Sequence, residues 1–118
     1  MSEEIRAKAS HIPISAQKVR LVVDLVRGKG VVEALELLKF TNQRGANPVA
    51  KVVSSAMSNA EENFGVSRNN LYIEKIYADE GPTRKWRRFG ARGRFKPWLR
   101  RSSHVTVVLR EREELQAG

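Results

Sequence analysis

The sequence predicts an α+β fold in which three helices pack on a small antiparallel three-stranded sheet, with a long protruding β-hairpin arm. Three observations predict it. Apolar residues recur at helical spacing in three separate stretches between residues 15 and 65. Strand-like segments, alternating or rich in β-branched and aromatic residues, lie near residues 5–10, 71–78 and 105–109. Between the last two runs a segment, residues 83–104, that holds nine Lys or Arg and no Asp or Glu.

Ile5-Arg6-Ala7-Lys8-Ala9-Ser10 alternates apolar and polar, the pattern of a short strand with one buried and one wet, basic face. Ile12-Pro13 interrupts it. Ser15 can cap a helix in which Val19, Val22, Val23 and Val26 form one stripe, and Gly28-Lys29-Gly30 ends that helix. Val31, Ala34, Leu35 and Leu38 repeat the spacing in a second helix of roughly ten residues, closed at Thr41-Asn42. The third and longest starts near Pro48, since proline is tolerated in a first turn, and carries Val49, Val52, Val53, Ala56, Met57 and Ala60 up to Gly65. Residues 71–78 and 105–109 then form an antiparallel pair. Its arms continue outward through Glu80-Gly81-Pro82 to a reversal at Gly90-Ala91-Arg92-Gly93. One domain results: a body of residues 4–80 and 103–110, an arm of about 81–102, and a frayed tail at 111–118.

The chain has 118 residues, 41% hydrophobic and 30% charged, which suits a single modest core. No stretch approaches the ~20 apolar residues of a membrane span, so no membrane partner is expected. With no cysteine there is no disulfide framework and no thiolate metal ligand. Met-Ser-Glu-Glu at the start has neither the basic region nor the apolar run of a secretory signal. The formal net charge is +9. Outside residues 83–104 the remaining 13 Lys and Arg are matched by 13 Asp and Glu, so that one segment carries the whole surplus.

Its cations are Arg84, Lys85, Arg87, Arg88, Arg92, Arg94, Lys96, Arg100 and Arg101. Seven of the nine are Arg, whose planar guanidinium binds phosphate bidentately and stacks on bases. Trp86, Phe89, Phe95 and Trp98 are interleaved with them, and aromatic planes are what hold unstacked RNA bases. At ~3.3 Å per residue, ten residues would project on the order of 30 Å, more than a surface loop needs. A two-stranded hairpin of that length has no core of its own and is marginal in water, so an RNA partner is expected to complete it. A disordered basic tail or a membrane-surface segment are the competing readings; the flanking strands disfavour the first and the lack of an amphipathic helix the second.

Weaker candidates lie in the body. Lys18 and Arg20 on the first helix, Arg27 and Lys29 after it, and Arg6 and Lys8 on the first strand suit RNA contact or an ordinary solvated face equally well. His104 suits either a strand-end cap or a phosphate contact. Neither it nor His11 has the Cys or carboxylate company of a metal site. Glu61-Glu62 diverge by ~100° on a helix and cannot share a proton. Gly28-Lys29-Gly30 lacks the rest of a phosphate-binding loop. No catalytic constellation, cofactor motif or small-molecule substrate site is found, so no enzyme is expected.

Ser15-Ala16-Gln17-Lys18-Val19-Arg20-Leu21-Val22 with Arg27-Gly28-Lys29 resembles a known family. So do Asp79-Glu80-Gly81-Pro82 and Ala91-Arg92-Gly93-Arg94 followed by His104-Val105-Thr106-Val107-Val108. The family is that of large-subunit ribosomal protein twenty-two in its bacterial form. The resemblance spans residues 5–109. It implies a cytoplasmic structural protein of the large ribosomal subunit, with a body near the nascent-chain exit and a hairpin reaching through large-subunit rRNA. The tip, Arg88, Phe89, Gly90, Ala91, Arg92 and Gly93, would then line the polypeptide exit tunnel. Implied partners are rRNA, neighbouring ribosomal proteins and the nascent polypeptide, and implied rRNA contacts are Arg84, Lys85, Arg87, Arg94, Arg100 and Arg101 in the arm with Lys18 and Arg20 in the body. A role in subunit assembly is implied as well. The sequence departs from the family where Phe89-Gly90-Ala91 replace the usual Pro-Arg-Ala, and where Phe95-Lys96-Pro97-Trp98 add bulk. A free-standing RNA-binding regulator is the alternative in a different class.

Overall fold

The computed structural model describes residues 4–81, 84–89 and 95–112, the arm strands 84–89 and 95–100 by their backbone only. In chain order the elements are β1 (Ile5–Ile12), α1 (Ala16–Val26), α2 (Val31–Lys39), α3 (Ala46–Phe64), a 3-10 turn (Arg68–Asn70), β2 (Leu71–Glu80), β3 (Arg84–Phe89), β4 (Phe95–Arg100) and β5 (Ser103–Glu111). The body sheet has the order β1-β5-β2, all antiparallel, and β3 pairs with β4 in a separate two-stranded sheet. The radius of gyration is 17.8 Å. A compact chain of this length would measure about 13.5 Å, so the shape is elongated, with extents of 72 × 26 × 18 Å.

The three apolar stripes form the helices expected of them. Val19, Val22, Val23 and Val26 of α1, Val31, Ala34 and Leu38 of α2, and Val49, Val52, Val53, Ala56, Met57 and Ala60 of α3 are all buried. They close on one face of the sheet, over the rungs Ile5–Leu109–Ile73, Ala7–Val107–Ile76 and Ala9–Val105–Ala78. Helix α3 begins at Ala46, two residues before the expected start at Pro48, which leaves Pro48 inside the first turn where its missing N–H costs nothing. Gly65 ends α3 at φ +65 with its N–H on the carbonyl of Ala60, and Val66 N–H reaches the same oxygen. This left-handed residue satisfies a helix-end carbonyl that would otherwise lack a partner.

Strand ends also lie beyond the sequence reading, because pairing to β5 outweighs a local signal. Strand β1 runs past Ser10 to Ile12 by way of a register shift between Ala9 and Ile12, where His11 takes φ +57. Strand β2 continues beyond Ala78 to Glu80, opposite Ser103. Glu111, expected in a frayed tail, pairs with Leu71, and Arg112 N–H donates to Asn70 O at 2.6 Å.

Strand β5 is central, and its residues are buried on both faces. Thr106 and Val108 point away from the helices yet are 7% and 1% exposed. The register flanks Val108 with Arg6 and Lys75, and Thr106 with Lys8 and Tyr77, long side chains whose stems can cover an apolar neighbour. The outer edge of β2 is closed by α1 and the turn after it. Arg20 Nε donates to Ala78 O at 3.1 Å, an Arg27 guanidinium nitrogen to Ile76 O at 2.9 Å, and Gly28 N–H to Ile73 O at 3.0 Å. With these three carbonyls taken, that part of the edge offers little to a further strand.

Two stability outcomes follow from the end of α3. A Cβ at Gly65 meets nothing within 4 Å, so Gly65→Ala should cost only the left-handed strain, about 1–2 kcal/mol in denaturant unfolding. Glu61 lies on Arg68 through two bonds of 2.8 and 3.0 Å, and this pairing holds its carboxyl below the usual range. A depressed carboxylate stabilises above its unfolded-state pKa and stops doing so as pH falls through the folded-state value. Glu61→Gln should therefore lower the melting temperature at neutral pH, with the difference from the parent protein closing under acid; a gap that persists below the carboxylate range would refute the pairing.

Candidate nucleic-acid interface

Where the arm leaves the body, the β2–β5 ladder ends in a glycine that has no room for a side chain. Gly81 N–H donates to Ser102 O at 2.9 Å, and a Cβ built on Gly81 would stand 2.5 Å from Ser102 Oγ and 3.2 Å from the His104 ring. His104 is held in turn by His11. The His11 N–H donates to His104 Nδ1 at 3.0 Å, which puts the His104 proton on Nε2, and the two rings meet edge to face at 5.0 Å. His104 thus accepts a backbone bond at the strand end through Nδ1. The positive φ of His11 aims its N–H at that ring.

Beyond this root, β3 and β4 pair from Arg84↔Arg100 to Phe89↔Phe95. From Gly81/Ser102 to Arg84/Arg100 the outgoing chain takes three residue steps and the returning chain two, so the ribbon's register is offset by one from that of the body sheet. The pairing places Arg84, Trp86 and Arg88 on one face of the ribbon with Arg100, Trp98 and Lys96. Lys85, Arg87 and Phe89 share the other face with Leu99, Pro97 and Phe95. The register thus assigns four cations and the paired positions Trp86 and Trp98 to one face, and Phe89, Phe95, Pro97 and Leu99 with two cations to the other. Pro97 is compatible with a two-stranded ribbon, in which each strand is an edge. The expected tip residues Gly90, Ala91, Arg92 and Gly93, and Arg94 beside them, lie outside the described residues.

The body meets the arm root across an open cleft of about 680 Å³. One wall is the start of α1. Ser15 Oγ accepts from Lys18 N–H at 3.4 Å and Ser15 O accepts from Lys18 and Val19. The amides of Ala16 and Gln17 stand at the open end of the helix without intrahelical acceptors. Lys18 and Arg20, expected from the sequence, line this cleft and are joined by Arg101 of the arm root and by Arg44. Glu80 is the one carboxylate in the lining. Arg44 had escaped the sequence reading. It sits in the α2–α3 turn, and Gly45 brings it there: Gly45 is buried, and a Cβ on it would lie 3.4 Å from Val19 Cα and Val22 Cγ2. A glycine next to a lone basic residue was the available signal, but only the packing gives it meaning.

The remaining candidates are dispersed. Arg6 and Lys8 lie exposed on the helix-free face of the sheet with Lys75 and the 40%-exposed Tyr77. Arg27 is committed to Ile76 O and, at 2.7 Å, to Asp24. Among the described residues no group of three His, Cys, Asp or Glu is placed to hold a metal ion, and no helix is long and apolar enough to cross a membrane.

The chain is similar in sequence to known proteins. Residues 7–110 match the family described as Ribosomal protein L22p/L17e. A large ribosomal subunit protein uL22 of Thermoanaerobacter is 51% identical over 110 residues, covering 93% of this chain and 99% of that one. The protein of the same name from Carboxydothermus hydrogenoformans is 47% identical over 94% of this chain and 98% of its own. That of Pediococcus pentosaceus is 46% identical over 97% and 99%.

The arm root yields a test of its own. Gly81→Ala should destabilise the protein by about 1–3 kcal/mol by overpacking against Ser102 and His104. Ser102→Ala removes the atom that the new methyl meets first, so the double variant should recover part of the loss. A double-mutant cycle with no coupling would mean that the methyl is accommodated elsewhere.

Proposed function

The chain belongs to the ribosomal protein L22p/L17e family, whose members are structural rather than catalytic, and from that premise we infer that its arm and the body surface around the arm root bind large-subunit rRNA. It is a structural component of the large ribosomal subunit and not an enzyme. The observation that carries the binding reading is the concentration of the entire charge surplus on a ribbon set apart from the core. Nine cations in residues 83–104 without a carboxylate repel one another in a free protein, and polyphosphate relieves that repulsion. The Trp86–Trp98 pair among Arg residues supplies planes on which unstacked bases can stack. The same reading gives the arm a course through folded RNA and places its end, residues 88–93, against the polypeptide exit tunnel, where it faces the nascent chain. By holding RNA segments that lie far apart, arm and body together aid subunit assembly. Neighbouring ribosomal proteins complete the set of partners.

Affinity for large-subunit rRNA should fall with salt with a log–log slope on the order of −4 to −5, as expected if about six phosphates are contacted. Replacing residues 84–100 by a short turn should remove most of that slope while leaving a folded body; an unchanged slope would locate binding elsewhere. A deletion across residues 90–92 should still enter large subunits yet alter nascent-chain stalling. A tip deletion that blocks incorporation would assign anchoring to the tip instead.

A further inference from the structure

The two edges of the body sheet end differently. Along β2 the outward carbonyls of Ile73, Ile76 and Ala78 are taken by Gly28, Arg27 and Arg20, and the outward N–H of Ile73 donates to Lys29 O at 2.9 Å. The outer edge of β1 has no partner strand among the described residues. The β2 bonds also fix which groups of β1 face outward. In an antiparallel ladder the N–H and C=O of one residue point to the same side, and successive residues alternate. Ile73, Ile76 and Ala78 point away from β5, so their partners Leu109, Val107 and Val105 turn their own groups toward β1 and bond Ile5, Ala7 and Ala9. The N–H and C=O groups of Arg6 and Lys8 therefore face away from the sheet, and no hydrogen bond to them is found among the described residues.

The side chains around these groups define what fits there. Arg6 and Lys8 are exposed on the helix-free face. Arg6 has Glu4 at 3.6 Å, while no ion pair is found for Lys8 among the described residues. Ala7 and Ala9 lie toward the helices yet are only partly buried, because the edge beside them is open and their side chains are short. The usable ladder is short, since a register shift follows Ala9, His11 takes φ +57 and Pro13 comes next but one. Bulges and edge cations guard sheet edges against unwanted pairing. On β1 they leave one kind of guest admissible. An antiparallel pair of two β1 strands using these groups would set at least one cation directly opposite another, which is unfavourable. RNA phosphates would meet the cations and the two N–H groups but leave the two carbonyls facing an anion. An acidic polypeptide strand satisfies all four backbone groups and both charges.

We propose that the outer edge of β1 receives an extended segment of another protein as a fourth strand of the body sheet, acidic opposite Arg6 and Lys8 and apolar where it passes Ala7 and Ala9. The proposal rests on the reading that neighbouring ribosomal proteins are partners, which it deepens, and is independent of RNA binding by the arm. Because β5 already holds β1 through Ile5, Ala7 and Ala9, the host strand is ordered beforehand and only the guest loses freedom on binding.

The test is an amide-shift titration of the full chain with the capped peptide Thr-Val-Glu-Val-Glu-Val-Thr, run in parallel with hexauridylate. The peptide should shift the amides of Arg6 and Lys8 and slow their hydrogen exchange, leaving Ile73 and Ala78 unchanged. N-methylation of its two glutamates, whose N–H groups would face β1, should abolish binding, and N-methylation of the valines should not. Lys8→Glu should weaken binding several-fold and gain affinity for the peptide with Lys in place of Glu, a reversal that misfolding would not mimic. Arg84→Glu with Arg87→Glu should leave peptide binding unchanged. Binding insensitive to glutamate N-methylation or to Lys8→Glu would overturn the proposal, and so would loss of binding in the arm variant. Shifts of Arg6 and Lys8 with hexauridylate alone would make this face an RNA surface instead. If the peptide fails while lysine-directed cross-linking of assembled large subunits still joins this chain to other proteins, the edge proposal fails and the partner reading stands; with no protein cross-link, both fail.

Discussion

Because β5 is hydrogen-bonded on both sides, to β1 through Ile5↔Leu109 and to β2 through Ile73↔Leu109, it has no free edge and its position fixes almost everything else. The strand is last in sequence and central in space. Its pairing with β2 brings the two ends of residues 81–102 together, so a highly charged segment leaves the body as a paired ribbon. Its pairing with β1 anchors the N-terminal strand. The side chains of Val105, Val107 and Leu109 supply the floor on which the helices close. Burial on both faces also explains why Val105-Thr106-Val107-Val108-Leu109 is nearly continuous in apolar character, as a central strand requires.

The cations of the body divide by what they touch. Arg20 on α1 and Arg27 just after its end, seven residues apart, reach the carbonyls of Ala78 and Ile76 along the outer edge of β2. Arg110 is held between Glu74 at 2.6 Å and Glu4 at 3.1 Å, which raises its already high pKa, and Arg68 closes the end of α3 onto the following turn. These guanidinium groups are fastened to the fold. Among the described residues Lys18, Arg44 and Arg101 have no such carboxylate, and they line one cleft. Basic composition alone would have treated all of them as one solvated set.

Arm and cleft make one surface with two kinds of contact. The ribbon carries its cations at register positions along both strands. The cleft gathers Lys18, Arg44 and Arg101 beside the first residues of α1, from elements far apart in the chain. The Gly81–Ser102 contact joins the two, since a wider root would separate Arg101 from the start of α1.

The sequence by itself determined the three helices, the strand segments, the charge surplus of residues 83–104 and, through Ser15 to Val22 and the residues around the arm, the family. Those are local properties: helical and strand periodicity depend on neighbours within a few residues, and charge is a sum. Lys18 and Arg20 were legible as candidates for the same reason. Only the tertiary structure decided that β5 lies between β1 and β2 and that Arg20 and Arg27 are spent partly on a strand edge. It also decided that His104 caps His11, and that Arg44 joins Lys18 and Arg101 across the cleft. Each of these joins residues far apart in the chain, and a contact at such separation is set by which surfaces bury one another, a quantity that no local window of sequence contains.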